Sequence, residues 1–257
     1  MKALLQFFKK KNKLEVDKEA DIRQCVLSSD SKFPVVEAYK SARTNLMYAL
    51  AGEEGSKKIV FTSSMPADGK TTTCVNTAIT FAQTGERVAL IDADLRKPKV
   101  HKLLDLPNKH GLANYLGGLA KMEDIIVHDD AHKLDVICAG RIPPNPSELL
   151  SSPKMAAFLE EIAKSYDYVF IDMPPVNVVT DALSVAKYVT GVVIVVRERY
   201  TNHDALKKSV ESLQFTNAKI LGFILNAVEE RGVYYSKSGK FGRGSKYGYY
   251  YSEAKPK

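Results

Sequence analysis

One short stretch, "SSMPADGKTTT" from Ser63 to Thr73, limits the choice of fold more than any other part of the chain. It follows an apolar run typical of a buried strand and precedes a long stretch typical of a helix. The loop pattern that binds nucleotide phosphates is G-x-x-x-x-G-K-[ST]. Here Ser64 takes the place of the first glycine, while Gly69, Lys70 and Thr71 match. The sequence therefore predicts a phosphate-binding loop between a strand and a helix; the alternative is an ordinary glycine-containing turn.

The chemistry of such a loop depends on small residues, which let backbone N–H groups face phosphate oxygens, and on the positive end of the following helix. We expect Lys70 to contact the β- and γ-phosphates of a nucleotide and the Thr71 hydroxyl to suit Mg²⁺. The residues predicted to surround the phosphates are Ser64, Pro66, Ala67, Asp68, Gly69, Lys70, Thr71 and Thr72.

Carboxylates stand at the ends of two further apolar runs. Asp172 follows the apolar residues of "VFIDMPP", and Asp92 and Asp94 end the run in "VALIDADLRKP". Ligands bind at the C-terminal edge of parallel sheets, and clustered buried carboxylates imply a metal or an exchangeable proton. We therefore predict one site formed by Lys70 and these three aspartates, with a surface carboxylate that caps the following helix as the alternative for each.

The rest of the chain alternates short apolar runs with longer amphipathic stretches. This alternation predicts an α/β fold, P-loop NTPase-like, in which a mostly parallel central sheet carries helices on both faces. Strands are predicted at residues 58–63, 87–94, 134–140, 166–173, 191–197 and 218–228. Helices are predicted at residues 37–51, 70–85 and 147–165, the last interrupted near Pro153. The predicted organisation is an N-terminal extension (1–35), a P-loop domain (36–228) and a flexible, tyrosine-rich tail (229–257).

The basic charge of the chain is concentrated in this tail. Of the net charge of +7, residues 231–257 contribute +6, from seven basic residues and one acidic residue. The tail also holds six of the thirteen tyrosines, namely Tyr234, Tyr235, Tyr247, Tyr249, Tyr250 and Tyr251. The remainder of the chain carries almost no excess positive charge, so we expect no nucleic-acid partner.

No apolar run approaches the roughly 18 residues that a membrane-spanning helix needs. The three cysteines, Cys25, Cys74 and Cys138, are scattered without the spacing of a metal site. Both observations predict a protein of the reducing cytoplasm.

The motifs resemble those of the bacterial tyrosine kinases that act in capsule and exopolysaccharide synthesis. "SSMPADGKTT" is similar to their Walker A motif, "ALIDADLRKP" to their additional Walker A′ strand and "VFIDMPP" to their Walker B motif. "GRIPPNPSELLSS", "DMPPVNVVTDA" and the terminal tyrosine cluster are similar to other stretches typical of that family. Met65 and Pro66 stand where partitioning and cell-division ATPases usually carry a signature lysine, which argues against those relatives.

The resemblance implies a protein-tyrosine kinase that uses ATP and Mg²⁺. It implies that Lys70 binds the β- and γ-phosphates and that Asp92 is the base for an incoming tyrosine hydroxyl. The implied ligands of the metal or its waters are Thr71, Asp94 and Asp172. Asn226, at the end of the last predicted strand, is implied to lie near the adenine, with an ordinary turn residue as the alternative.

The resemblance also implies autophosphorylation of the tail tyrosines, in a neighbouring subunit, and regulation of polysaccharide synthesis and export. The expected partners are further copies in a ring-like homo-oligomer, a membrane-embedded polysaccharide co-polymerase that recruits the kinase to the inner membrane face, a tyrosine phosphatase and other protein substrates. Glu37, Lys40 and Arg43 share a helical face, as in the family's E-x-x-R-x-x-R oligomerisation helix, with lysine in place of one arginine. A solvated helix surface is the alternative.

Two other functions fit parts of the sequence. A partitioning- or cell-division-type switch ATPase would bind DNA or membrane through the basic tail, since aromatic residues between basic ones suit single-stranded nucleic acid. An inactive nucleotide-binding scaffold would regulate a membrane complex without catalysis.

Overall fold

The computed structural model describes residues 22–228, which form one seven-stranded sheet flanked by helices. The strands are β1 (Lys57–Ser63), β2 (Val88–Asp92), β3 (Ile126–Asp129), β4 (Leu134–Ile137), β5 (Tyr168–Asp172), β6 (Gly191–Arg197) and β7 (Ile220–Asn226). Their order across the sheet is β3–β4–β2–β5–β1–β6–β7, and every neighbouring pair is parallel except β3 with β4. The predicted mostly parallel sheet is therefore confirmed.

Helices cover both faces of this sheet. They are α1 (Phe33–Ala49), α2 (Lys70–Ala82), α3 (Val100–Leu103), α4 (Leu112–Leu116), α5 (Pro146–Ser151), α6 (Pro153–Ala163), α7 (Asp181–Ala186) and α8 (His203–Phe215). The predicted interruption near Pro153 is present, because a proline fits the first turn of a new helix but not the interior of a continuous one. The Ser152 hydroxyl caps α6 by accepting a 3.3 Å hydrogen bond from the Met155 N–H.

The central strands are apolar on consecutive positions because both of their faces are covered by helices. On one face, Ile171 of β5 lies in a buried cluster with Phe158 of α6. On the other face, Phe170 of β5 packs against Phe81 of α2, with ring centroids 5.1 Å apart. Neighbouring residues of one strand thus support two cores, which hold the strand ends in place.

The structure differs from the sequence prediction at one edge of the sheet. The six predicted strands are present with slightly different ends, but β3 was not predicted. It is short and only partly buried, and His128 and Asp129 interrupt its apolar pattern. An edge strand of this kind forms through its antiparallel pairing with β4, which local periodicity does not reveal.

The predicted boundary at residue 35 falls inside α1, which begins at Phe33. Val26 and Leu27 precede that boundary, yet they are buried in the same core as α2. Asn76 of α2 fixes this segment, because its side chain accepts a 2.9 Å hydrogen bond from the Leu27 N–H and donates one of 2.8 Å to the Cys25 carbonyl. The predicted tail, residues 229–257, lies outside the described residues. Within residues 22–228, no helix combines the length and apolar character that crossing a bilayer requires.

Candidate phosphate and metal site

Three neighbouring strand ends bring the predicted site residues to one edge of the sheet. β5 lies between β2 and β1, and Asp172 at its end is directly opposite Asp92 of β2 and Phe61 of β1. After Ser63, β1 continues into the predicted phosphate-binding loop. The loop and both carboxylates therefore share the C-terminal edge, where parallel sheets bind ligands.

The ammonium group of Lys70 lies between two of the predicted carboxylates. Its Nζ is 2.9 Å from Asp94 Oδ2 and 3.3 Å from Asp172 Oδ1. The Thr71 hydroxyl donates a hydrogen bond of 2.8 Å to Asp172 Oδ2. Four side chains from α2, β5 and the loop after β2 thus meet within hydrogen-bonding distance.

Burial and charge together set the protonation of this cluster. Burial raises the pKa of Asp172, and the Lys70 charge and the Thr71 hydroxyl oppose that rise. Burial alone lowers the pKa of Lys70, but the Asp172 and Asp94 carboxylates outweigh it and hold that pKa above its usual value. Lys70 is therefore a cation at neutral pH, which is the state that contacts phosphate oxygens.

The predicted metal ligands form a set that suits Mg²⁺. Thr71, Asp94 and Asp172 supply only oxygen atoms, and Mg²⁺ prefers oxygen ligands and keeps several of its waters. Among residues 22–228, no three carboxylate, histidine or cysteine side chains are grouped as a preformed metal site. In nucleotide sites Mg²⁺ is usually bound through one or two carboxylates together with the phosphates.

Asp92 has different contacts from Asp94, although the two are close in sequence. Its Oδ2 accepts hydrogen bonds of 3.0 Å from the N–H groups of Lys99 and Val100, and its Oδ1 accepts one of 3.2 Å from the Asp94 N–H. Side chains two positions apart in a strand point to the same side, which would orient Asp92 and Asp94 alike. However, β2 ends at Asp92, so this alternation does not extend to Asp94. The alternative prediction was a surface carboxylate that caps the following helix. Asp92 does cap the segment at the start of α3, but its carboxylate is buried.

Burial and the nearby Asp172 carboxylate raise the pKa of Asp92 to about 8. A carboxyl group with such a pKa exchanges its proton near neutral pH. This property is what a general base requires, because efficiency is greatest when its pKa is near the operating pH.

The shape of the loop depends on a glycine. Gly69 has a φ of +89°, in the left-handed region, and a Cβ at this position would lie 1.9 Å from Asn226 Nδ2. The same Asn226 nitrogen donates a 2.9 Å hydrogen bond to the Asp68 carbonyl. Asn226, predicted to lie near the adenine, thus also supports the backbone of the loop.

Two hydroxyl groups outside the loop, which the sequence did not indicate, form hydrogen bonds with side chains of the loop. The Asp68 carboxylate accepts hydrogen bonds from the Met65 N–H at 2.9 Å and from the Thr201 hydroxyl at 2.8 Å. The Ser209 hydroxyl donates a 2.8 Å hydrogen bond to the Ser64 hydroxyl. Ser64 and Asp68 are fully buried, and these hydrogen bonds of their side chains hold the loop in place. No local pattern identified Thr201 or Ser209, because both follow the loop by more than 130 residues.

A cavity of about 350 Å³ lies over the loop. The predicted residues that line it are Pro66, Ala67, Gly69, Lys70, Thr71, Thr72 and Asp94. A second cavity of about 700 Å³ is lined by Thr72, Asn76 and Asn226, and Cys25 borders both. The two cavities therefore adjoin each other at Cys25 and Thr72.

The residues predicted for oligomer contacts lie on α1. Glu37 and Lys40 form an ion pair of 2.8 Å, and the Arg43 guanidinium donates a 2.6 Å hydrogen bond to the Thr80 carbonyl of α2. Arg43 therefore contacts its own chain, while Lys40 is exposed. The predicted phosphorylation sites, Tyr234, Tyr235, Tyr247, Tyr249, Tyr250 and Tyr251, lie outside the described residues.

Known proteins are similar to this chain over most of its length. A family model described as "ParA: NUBPL iron-transfer P-loop NTPase" matches residues 55–240. The tyrosine-protein kinase YwqD of Bacillus subtilis is 37% identical over 228 residues, which cover 89% of this chain and 91% of the relative.

Solved structures give the same result. The kinase domain of the Escherichia coli tyrosine kinase ETK superposes with a TM-score of 0.74 at 35% identity, over 81% of this chain and 80% of that one. The chimerical protein CapA2B2 superposes with a TM-score of 0.72 at 38% identity, over 77% of this chain and 86% of that one.

Proposed function

This chain belongs to the ParA-type P-loop NTPases and, within that fold, to the bacterial tyrosine kinases, and we propose that it transfers the γ-phosphoryl group of ATP to protein tyrosines. The observation that carries the proposal is the cluster at the strand ends. There Lys70 lies between Asp94 and Asp172, and the Thr71 hydroxyl contacts Asp172. A cation, a hydroxyl and two carboxylates beside a phosphate-binding loop are the groups that phosphoryl transfer needs.

In this proposal each residue has one role in binding or orienting the reactants. The loop N–H groups and Lys70 bind the β- and γ-phosphates, and Lys70 stabilises negative charge on the transferring group. Thr71, Asp94 and Asp172 would hold Mg²⁺, which supplies further charge neutralisation when bound. Asn226 and the second cavity would receive the nucleoside.

Asp92 is the proposed base for the acceptor. The tyrosine oxygen forms a bond to the γ-phosphorus, the bond from that phosphorus to the β–γ bridging oxygen breaks, and ADP leaves. The phenolic proton passes to the Asp92 carboxylate. Because the Asp92 pKa is raised to about 8, its deprotonated form is a stronger base than the carboxylate of an exposed aspartate.

The proposed acceptors are the tail tyrosines, reached in a neighbouring subunit of a homo-oligomer that includes contacts of Glu37, Lys40 and Arg43. Each phosphate adds about −1.5 to −2 charges, so three or four would cancel or reverse the +6 of residues 231–257. We propose that this change weakens subunit contacts, that a tyrosine phosphatase reverses it, and that a membrane-embedded polysaccharide co-polymerase recruits and activates the kinase. The output would be control of capsular or extracellular polysaccharide synthesis and export.

The function is tested with the purified full chain, ATP and Mg²⁺. Phosphotyrosine should appear on the tail by mass spectrometry and should be absent from the Lys70→Met variant. Lys164→Met is the matched control. Lys164 lies directly after α6, and its one ion pair with a described residue is to the exposed Glu161. ATP binding without any phosphotyrosine, with or without the co-polymerase segment, would contradict the kinase and favour a scaffold.

A second candidate function is a switch ATPase that binds DNA or membrane through its basic tail. The match to the ParA family model and the +6 charge of residues 231–257 favour it. Salt-dependent binding of the full chain to DNA or anionic vesicles, lost on removal of residues 229–257, would support this function.

A further inference from the structure

Three residues that the proposed mechanism does not use, each from a different sequence motif, meet at one point of the structure. Arg96 belongs to "DADLRKP", Ser147 to "NPSELL" and Asp181 to "VVTDA". Arg96 lies in the loop after β2, Ser147 in α5 and Asp181 at the start of α7. They are separated by 34 to 85 positions in the chain, so only the fold brings them together.

The three side chains form a closed network of hydrogen bonds. Arg96 Nε donates to Asp181 Oδ2 at 2.8 Å, and Arg96 Nη2 donates to Asp181 Oδ1 at 3.2 Å. Arg96 Nη2 also donates to the Ser147 hydroxyl at 2.6 Å, and that hydroxyl donates to Asp181 Oδ1 at 2.7 Å. Two parallel bonds to one carboxylate and a third to a hydroxyl fix the plane of the guanidinium.

Burial differs sharply within this network. The Asp181 side chain is fully buried, whereas the Arg96 side chain is 37% exposed. Arg96 lines the cavity over the phosphate-binding loop, together with Lys70, Thr71 and Asp94. The network therefore anchors one side of the guanidinium in the protein interior and leaves the residue at the wall of the cavity.

We propose that Arg96 is a further catalytic residue, which binds the γ-phosphoryl group of the nucleotide through Nη1, and that Asp181 and Ser147 are positioning residues for it. This inference rests on the proposed kinase function. The network uses Nε and Nη2, and Nη1 is the nitrogen that we assign to the ligand. A guanidinium held in place before the reaction stabilises transition-state charge without reorganisation.

The residue type supports this role. A lysine would neutralise the buried Asp181, but its ammonium group lacks the planar fork that forms two parallel hydrogen bonds with one carboxylate and keeps a further nitrogen in a fixed direction. Lys97 and Lys99 also line the cavity, so charge alone does not explain why an arginine is held between Ser147 and Asp181. The fixed fork does explain it.

The test measures nucleotide binding by the full chain, with AMP-PNP as the probe that carries a γ-phosphoryl group and ADP as the probe that lacks it. Arg96→Gln should raise the Kd for AMP-PNP by about 10-fold or more, the effect of losing one charge-assisted hydrogen bond, and leave the Kd for ADP within about 2-fold. Ser147→Ala and Asp181→Asn should shift the AMP-PNP value in the same direction by less. In the kinase assay Arg96→Gln should lower kcat more than it raises the KM for ATP.

Arg87→Gln is the matched control, since Arg87 forms a similar ion pair with Asp167 but precedes β2, at the opposite edge of the sheet. Equal loss of affinity for both nucleotides in Arg96→Gln, or no loss for either, would overturn the inference. If Asp181→Asn does not fold, Ser147→Ala and Arg96→Gln still decide it. Absence of AMP-PNP and ADP binding in the unaltered chain would instead count against the proposed function itself.

Discussion

The Thr71 hydroxyl donates a 2.8 Å hydrogen bond to the Asp172 carboxylate and so connects the first turn of α2 to the end of β5. We predict that Thr71→Val removes this contact together with one proposed ligand of Mg²⁺. The variant should need a higher Mg²⁺ concentration for half-maximal activity, whereas Thr71→Ser, which keeps the hydroxyl, should behave like the unaltered chain. A Mg²⁺ titration of kinase activity checks this; identical titration curves for the valine and serine variants would contradict it.

Loss of the Lys70 charge should destabilise the nucleotide-free protein as well as inactivate it. The Lys70 side chain is 11% exposed and pairs with Asp94 and Asp172. Removing one partner of such a buried group typically costs about 3–5 kcal/mol, because the remaining charges are left uncompensated. We expect Lys70→Met to lower the free energy of unfolding by an amount of this order, measured by urea denaturation at neutral pH.

The double variant Lys70→Met, Asp172→Asn separates charge from packing. If charge is responsible, the second substitution should recover part of the lost stability, because it removes a carboxylate that no longer has a cation. Strictly additive losses would show that Lys70 stabilises the site through the packing of its methylene groups alone.

The stability of the metal-free protein should fall as pH rises from 5 to 8. The pKa of Asp92 is about 8 in the folded state, against about 3.9 for an unfolded aspartate. The folded state therefore binds more protons within this range, so raising the pH favours unfolding, by up to about 1.4 kcal/mol per pH unit for one proton. The Asp172 pKa is also raised and contributes a slope of the same sign.

Urea unfolding in EDTA across this pH range checks the prediction. Asp92→Asn should flatten the slope, since it removes the titrating group. Asp167→Asn is the control. Arg87 lowers the pKa of Asp167, so the contribution of Asp167 to stability is lost only when the pH falls below 5. A slope that is the same in Asp92→Asn and in the unaltered chain would show that Asp92 does not titrate there.

Gly69→Ala should abolish nucleotide binding through two separate effects. A Cβ would lie 1.9 Å from Asn226 Nδ2, and the φ of +89° is strained for any residue with a side chain. Adding Asn226→Ala removes the collision but not the backbone strain. We therefore expect the double variant to recover stability in part, without normal nucleotide affinity, in thermal unfolding and binding measurements. Full recovery of affinity would mean that the backbone conformation at Gly69 is not required.

The general architecture could be predicted from the sequence because burial on both faces leaves consecutive apolar residues in β1, β5 and β6, and those runs are visible without alignment. Lys70, Asp94 and Asp172 could be assigned to one site because a strand end fixes the edge on which a residue lies. β3 and the boundary near residue 35 could not be predicted, since they depend on pairing with β4 and on the contacts of Asn76.

Within the site, the sequence did not reveal how individual side chains are oriented. The sequence predicts Asp68 near the phosphates but does not reveal that its carboxylate accepts hydrogen bonds from the Met65 N–H and the Thr201 hydroxyl. Asp92 and Asp94 have different partners because β2 ends between them. The contacts of Ser209 with Ser64 and of Arg96 with Asp181 join distant segments, so periodicity and spacing carry no information about them.

A crystal structure of the full chain with AMP-PNP and Mg²⁺ tests the central claim most directly. We predict that the ion lies within coordination distance of the Thr71 hydroxyl, with Asp94 and Asp172 bound to it or to its waters, and that Lys70 contacts the β- and γ-phosphates. Nucleotide bound at another edge of the sheet, or Mg²⁺ bound away from Asp94 and Asp172, would contradict the claim that these strand ends form the phosphoryl-transfer site.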